Sequence, residues 1–395
     1  MTKGVALKHF LLSMMYGMAI FIYLAFQGTY EKIAIVFMSV WTYVLIINPN
    51  KGNWCYYQRI MMGICIGILL AYFGIGAMPM ENQMDEQLQG RRNNENIAVL
   101  LVFDGEPATY DVALALHSHR KEISGLKEIT IPLKLYQYKK AYEHLHISRY
   151  QEKAAQIQEK LIELLTPHYD VYISYAEARP YYYEIMDQII LKESYDKVIV
   201  QPISIGESLE EIAAGNDKIM PFLIRSKTMV RHGNSLWDSE KIAKAVVRRV
   251  VGMEQETNMG DIGIILMAGG DVQGNQSQNW AKNMRKELLF MERVKTYFMQ
   301  QGIESRKVIT LDVVKGEKSL DEAVQQLRLY GVGKIYLTSI HDFLDKIENQ
   351  SYIRKFIKKV EQQQGIDINY IDGWGTEELV IEELEGRIRL LNVQE

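Results

Sequence analysis

The 395-residue chain carries 45 Lys and Arg against 49 Asp and Glu, is 48% hydrophobic, and contains 8 Pro and 2 Cys. It is too long for one ordinary domain and too apolar for a disordered chain. In the first 78 residues Lys3, Lys8, Lys32, Lys51 and Arg59 stand against the single acid Glu31, so the acidic excess falls entirely in the remainder and argues against nucleic acid as a partner.

The N-terminal stretch holds three apolar runs, residues 10–27, 33–47 and 60–78, each near the roughly 20 residues that cross a bilayer. Three successive runs without a small-residue cleavage site disfavour a signal peptide. The spacing predicts a three-helix transmembrane anchor over residues 1–78, with Trp54, Tyr56 and Tyr57 at an interface and the lipid bilayer as partner. Pro79 ends the third run, and residues 79–96 read as a polar linker. Lys3, Lys8, Lys51 and Arg59 on the N-terminal side, against Lys32, Arg91 and Arg92 on the other, predict a multi-pass cell-membrane protein with its soluble part outside the cytoplasm. Four charges against three leave the cytoplasmic orientation open. Both cysteines, Cys55 and Cys65, belong to the anchor, so the soluble part has no disulfide, thiolate metal site or cysteine nucleophile.

From residue 97 the pattern changes. Short continuous apolar runs at 97–103, 171–175, 197–200, 262–268, 307–311 and 334–337 predict strands buried on both faces of a parallel sheet. Helical stretches at 148–165, 180–192, 239–251, 279–301 and 319–330 alternate with them, which implies an α/β fold of doubly wound sheets. The halves resemble each other: AVLLVFDGE from Ala98 and GIILMAGGD from Gly263 are apolar strands of equal length with Gly105 and Gly270 at the same step. Two pseudo-repeated lobes, 97–251 and 252–395, are the economical reading. Ligands in such folds sit beyond the C-terminal strand ends, here 104–107, 201–207, 269–273 and 338–345.

The order of these segments resembles the ferrochelatase family of class II chelatases. LLVFDGEP from Leu100 is similar to that family's first strand and Gly-x-Pro turn. VYISYAEARPYYYEIMDQI from Val171 resembles its strand, bulge, proline and helix, and YDKVIVQPISI from Tyr195 its strand leading to a loop in the cleft. SLWDSEKIAKAVVRRV from Ser235 is similar to its Trp-containing loop before the helix joining the lobes. The resemblance covers residues 97–350 and implies two chelatase-like lobes, with metal insertion into a tetrapyrrole as a lyase reaction of haem-type biosynthesis. It requires no cofactor; the divalent metal, iron foremost, is substrate. Gly105, Gly270, Ile203 and Ser204 fall where the family's cleft loops approach the macrocycle. The family's histidine after the first strand of the second lobe is replaced by Gly269, and a loop histidine of some members by Ile203. Its partner acid corresponds to Asp345 or Asp342 in SIHDFLDKI, beside His341.

Insertion needs a base for the pyrrole protons and a ligand that delivers the ion without retaining it. Asp345 and His341 are the candidates for base and ligand, and Asp104, Asp271, His341 and Asp345 for a metal site. Glu106 lies nearby on the first of these loops. Asp104 and Asp271 also suit loop starts and helix caps. Of the remaining histidines, His117, His119, His144 and His146 read as helix-surface residues and His232 as part of a basic loop, 227–234. Tyr181, Tyr182 and Tyr183 read as sheet packing, and the acidic C-terminal segment as a helix or strand pair. Glycine-rich phosphate loops and Gly-x-Ser-x-Gly are absent, which disfavours a nucleotide enzyme and an α/β-hydrolase. A non-catalytic tetrapyrrole- or metal-binding, sensing domain at the membrane is the alternative function.

Overall fold

The continuous apolar segments Ile97–Phe103 and Ile262–Ala268 form β1 and β5, each flanked on both sides by parallel partners and buried along nearly its whole length. The structure, a computed structural model, describes residues 3–47, 54–76, 97–122, 130–187, 195–206, 209, 228–253, 259–268, 280–312 and 317–394. Residues cluster into two units: 1–83 with 109–146, and 84–108 with 147–395.

The first unit contains α1 (Lys3–Ala25), α2 (Thr29–Ile47), α3 (Trp54–Gly76), α4 (Val112–Glu122) and α5 (Ile131–Leu145). Among the described residues two helices are long and apolar enough to cross a membrane, over Leu7–Ala25 with mean hydropathy 1.5 and Tyr56–Gly76 with 1.9. The expectation of three is corrected to two on this measure; α2 is helical but opens on Glu31 and Lys32. α1 and α3 pack through small residues: a Cβ on Gly17 would lie 2.1 Å from the Ile64 carbonyl oxygen, and one on Gly67 1.9 Å from that of Met14. Glycine at these positions lets the two helix backbones come into direct contact.

α4 and α5 fall between β1 and the next strand in sequence, yet they pack with α1 and α3. Ala115, Leu116, Ile131 and Leu135 share an apolar cluster with Phe21, Ala25, Tyr72 and Ile75. Lys139 is fully buried there. Its ammonium donates to the Tyr23 and Phe26 carbonyls at 2.5 and 3.1 Å and pairs with Glu31 at 3.1 Å. It thereby satisfies carbonyls at the C-terminal end of α1, where a cation is favoured.

The second unit continues with α6 (Tyr150–Leu165), β2 (Asp170–Tyr175), α7 (Tyr182–Ile185), β3 (Lys197–Pro202), β4 (Met229–His232) and α8 (Glu240–Val251). After β5 come α9 (Trp280–Gln300), β6 (Val308–Asp312), α10 (Glu317–Leu329), β7 (Lys334–Ser339), α11 (Ile347–Gln364), β8 (Asp367–Ile371) and α12 (Glu378–Val393). The sheets have orders β2-β1-β3-β4 and β6-β5-β7-β8, parallel throughout. In register, Leu101 lies beside Ile173 and Gln201, and Ile265 beside Ile309 and Leu337. The fold is thus α/β with two four-stranded sheets of the same topology.

The basic segment around His232 is β4 rather than a loop, and β8 is a further strand that the apolar runs do not mark. Both are edge strands with polar residues, such as Arg231 and Asn369, among the apolar ones. The acidic C-terminal segment forms α12, whose Val380, Ile381, Leu384 and Ile388 enter a continuous core with residues of both sheets. α12 packs on α6, α8, β3 and β4. Ser239 caps α8 by accepting from the Ile242 N–H at 3.1 Å.

Candidate interlobe site

In each sheet the connections part to opposite sides next to β1 and β5, so loops after β1 and β3, and after β5 and β7, frame the ligand positions. The loop after β1 begins Asp104-Gly105. Gly105 has φ +88 and a Cβ there would lie 2.7 Å from the Tyr175 Cβ, so glycine is required for the chain to turn against β2. Beyond it, Glu106 is 2% exposed. Both carboxylate oxygens lie 2.9 Å from the Ile347 N–H that opens α11, and the Ser148 hydroxyl donates to the same group. The first lobe therefore supplies the N-terminal acceptor for a helix of the second. Burial pushes the Glu106 carboxyl up to about 8, against these hydrogen bonds.

The loop after β7 brings His341, Asp342, Asp345 and Lys346 to the same place. It is pinned by the Trp374 N–H donating to the Asp342 carbonyl at 3.2 Å and the Gly375 N–H to that of Phe343 at 2.8 Å. The Ile205 N–H donates across the lobes to the His341 carbonyl at 3.3 Å. The Lys346 ammonium lies 2.8 Å from Asp104 Oδ2 and 2.6 Å from Glu177 Oε2. Burial opposes its charge, but the two carboxylates outweigh that and hold its pKa well above the ordinary lysine value.

Asp342 and Asp345 are each 4% exposed. Burial pushes Asp342 up to about 7, opposed by the Tyr150 hydroxyl donating to Oδ2 and reinforced by the nearby Asp104 charge. Asp345 is pushed up to about 6 by burial, opposed by the Tyr370 and Ser339 hydroxyls. His341 Nδ1 lies 2.6 Å from Glu287 Oε1 on α9. Burial disfavours the imidazolium, but the Glu287 carboxylate more than compensates and holds it up to about 9. The histidine side chain is 20% exposed and Glu287 2%.

Asp104, Glu106, His341, Asp342 and Asp345 are thus brought together, with Gly105 in the same loop. Ser204 is buried and donates to the Gly206 carbonyl at 2.9 Å. Ile203 is fully buried in the continuous core. Gly269, Gly270 and Asp271 lie outside the described residues. His144 and His146 are exposed at the end of α5, as expected of surface histidines, while Tyr181 and Tyr182 are buried. Glu287, Lys346, Tyr150 and Tyr370 were not anticipated. Glu287 had a signal: it lies in step with Phe290, Met291, Val294 and Phe298, the buried stripe of α9, where an acid is out of place.

The site holds six carboxyl groups, Asp104, Glu106, Glu177, Glu287, Asp342 and Asp345, against the cationic side chains of Lys346 and His341. Burial raises three of these acids, Glu106, Asp342 and Asp345, and the hydrogen bonds and cations around them only partly offset it. Among the described residues no group of three or more His, Cys, Asp or Glu is arranged to hold a metal ion. His341 and Glu287 are engaged with each other, the ring Nδ1 lying on one oxygen of the buried carboxylate.

No protein-family model matches the chain, and no curated protein matches it in sequence. Among solved structures it is similar to SirB from Bacillus subtilis with Fe3+, at 14% identity and TM-score 0.48, over 75% of this chain and 96% of that one. It is also similar to the sirohydrochlorin chelatase SirB from Bacillus subtilis subspecies spizizenii in complex with cobalt, at 12% identity and TM-score 0.46, over 75% and 94%. A LacI family transcriptional regulator from Silicibacter pomeroyi follows at 12% identity and TM-score 0.29, over 62% and 91%. At these identities no residue of those proteins is carried over to this chain.

Proposed function

We propose that the chain is a membrane-anchored protein of the chelatase type whose interlobe site handles a divalent transition metal, iron foremost, and a tetrapyrrole. The observation that carries this reading is the His341–Glu287 pair at 2.6 Å beside the buried carboxyls Asp342 and Asp345, which burial raises toward neutrality. The ferrochelatase resemblance expects a histidine from the segment after β5 and an acid from the loop after β7. Here Gly269 stands at the histidine position, Asp345 and Asp342 remain the counterparts of the acid, and the imidazole of His341 from the β7 loop beside Glu287 of α9 is what supports a substitute for the missing histidine. Two protein donors leave coordination positions for the macrocycle nitrogens, as suits an ion that is passed on.

Insertion of a divalent ion replaces two pyrrole protons, which must go to bases. Asp342, held near 7, and Asp345, held near 6, are partly ionised at neutral pH and can take them up, while His341 must shed its own proton before its ring accepts the metal. Metal affinity accordingly rises with pH toward about 9.

A second reading, tetrapyrrole or metal binding without turnover, is favoured by Gly269 in place of a histidine and by the internal partners of Asp104, Asp342 and Asp345. The full chain in lipid nanodiscs, given protoporphyrin with Fe2+, Zn2+ or Co2+ and followed by absorbance, separates them. Insertion that falls about 100-fold or more in His341→Ala supports catalysis. Spectral binding without insertion supports the second reading, and neither signal contradicts both.

A further inference from the structure

The insertion between β1 and β2 does not fold with its own lobe. It lies against the last turns of α1 and α3, through Phe21, Ala25, Tyr72 and Ile75. The apolar spans of 19 and 21 residues are about 28 and 31 Å long at 1.5 Å per residue, close to the roughly 30 Å hydrocarbon core. No length is left over, so whatever packs on those last turns lies at headgroup level if α1 and α3 span a bilayer. The side chains there match that level. Tyr23, Tyr30, Tyr110, Tyr136 and Tyr138 gather around the helix ends, the pattern of an interfacial aromatic belt. Leu133 is 59% exposed on α5 beside the half-buried Lys134, and Lys32 is exposed next to Glu31.

Charge points the same way. Residues 109–146 contain six basic residues (Arg120, Lys121, Lys127, Lys134, Lys139 and Lys140) and four acidic ones, whereas the soluble remainder is strongly acidic. Lys139 is committed to α1 and Glu31, and Lys140 to Glu143 at 2.5 Å. Lys134, half-buried on α5 beside Leu133, thus belongs to a segment whose net charge is opposite in sign to that of the acidic remainder.

We infer that the α4–α5 hairpin is an interfacial element seated among lipid headgroups, with Leu133 dipping into the acyl boundary and Lys134 beside it contacting anionic headgroups. The inference rests on the reading that α1 and α3 cross the bilayer, and the test keeps the two apart. The full chain is prepared with a single environment-sensitive label, either on native Cys65 with Cys55→Ser, or on Leu133→Cys with both native cysteines replaced by serine. Vesicles are phosphatidylcholine alone or mixed with phosphatidylglycerol, with quenchers carried deep in the acyl chain or on the headgroup.

Deep quenching of the Cys65 label establishes the span; its absence overturns the spanning reading and this inference with it. Given the span, the Leu133→Cys label should be quenched by headgroup-level lipid and preferentially by phosphatidylglycerol. Adding Lys134→Glu should reduce that preference about fivefold or more, and raised salt should weaken it. A Leu133→Cys label that is aqueous, or shielded by a second copy of the chain, overturns the inference while leaving the span intact. Equal quenching by both lipids overturns the anionic preference.

Discussion

In the first unit the ammonium of Lys139 is fully enclosed and meets one carboxylate, Glu31, and two carbonyls. In the second, Lys346 is 26% exposed and meets Asp104 and Glu177 in a site that holds four further carboxyls. The first arrangement balances a buried charge and ties α5 to the end of α1 and the start of α2. The second encloses several acids, and burial raises the pKa values of Glu106, Asp342 and Asp345. Buried charge is therefore paired in one place and left as raised carboxyl groups in the other.

Breaking each arrangement at its lysine gives the largest effects. Lys139→Met leaves Glu31 without its buried partner and should cost about 3–5 kcal/mol, read as lost hydrogen-exchange protection in α1 and α5. Unchanged protection would mean that the pair is incidental. Lys346→Met should cost less, about 1–3 kcal/mol, because its side chain is partly solvated. It should also drive the acids of the site further toward their protonated forms, visible as carboxyl bands in infrared titration.

The contrast extends to pH. Glu106, Asp342 and Asp345 bind protons more tightly folded than unfolded, so their contribution to stability falls as pH rises from about 4 to about 8. His341, raised from 6.5 to about 9, stabilises fully below 6.5 and loses that contribution as pH rises through 9. All four act in one direction. The melting temperature of the second unit should therefore decline between about pH 5 and pH 9, and a rise over that range would refute the assignment. The smallest change is Glu106→Gln, which mimics the protonated acid and should shift stability by about 1 kcal/mol or less at pH 7. It should, however, flatten part of the pH dependence; an unaltered profile would show that Glu106 does not titrate in this window.

The central strands were legible because β1 and β5 are buried on both faces and leave unbroken apolar runs. β4 and β8, at the sheet edges, mix polar and apolar residues and left no such mark. Asp104, Glu106, His341, Asp342 and Asp345 could be picked out because strand-end position alone selects them. Their partners could not. Tyr150 occupies a core position on α6 whose hydroxyl reaches Asp342, and Lys346 reads as an ordinary loop cation until the fold brings Asp104 and Glu177 beside it. Nor did the sequence distinguish α4 and α5 from helices of the first lobe, since an amphipathic face does not say which core it will enter.

The most direct test of the proposed metal handling is a Co2+ titration of the full chain, followed by its visible absorption, for the wild type, His341→Ala and Glu287→Gln. A nitrogen- and oxygen-ligated spectrum is predicted for the wild type, with affinity increasing as pH approaches about 9 and falling sharply in both variants that retain the wild-type melting temperature. Superimposable titrations of the three would contradict the assignment of His341 and Glu287.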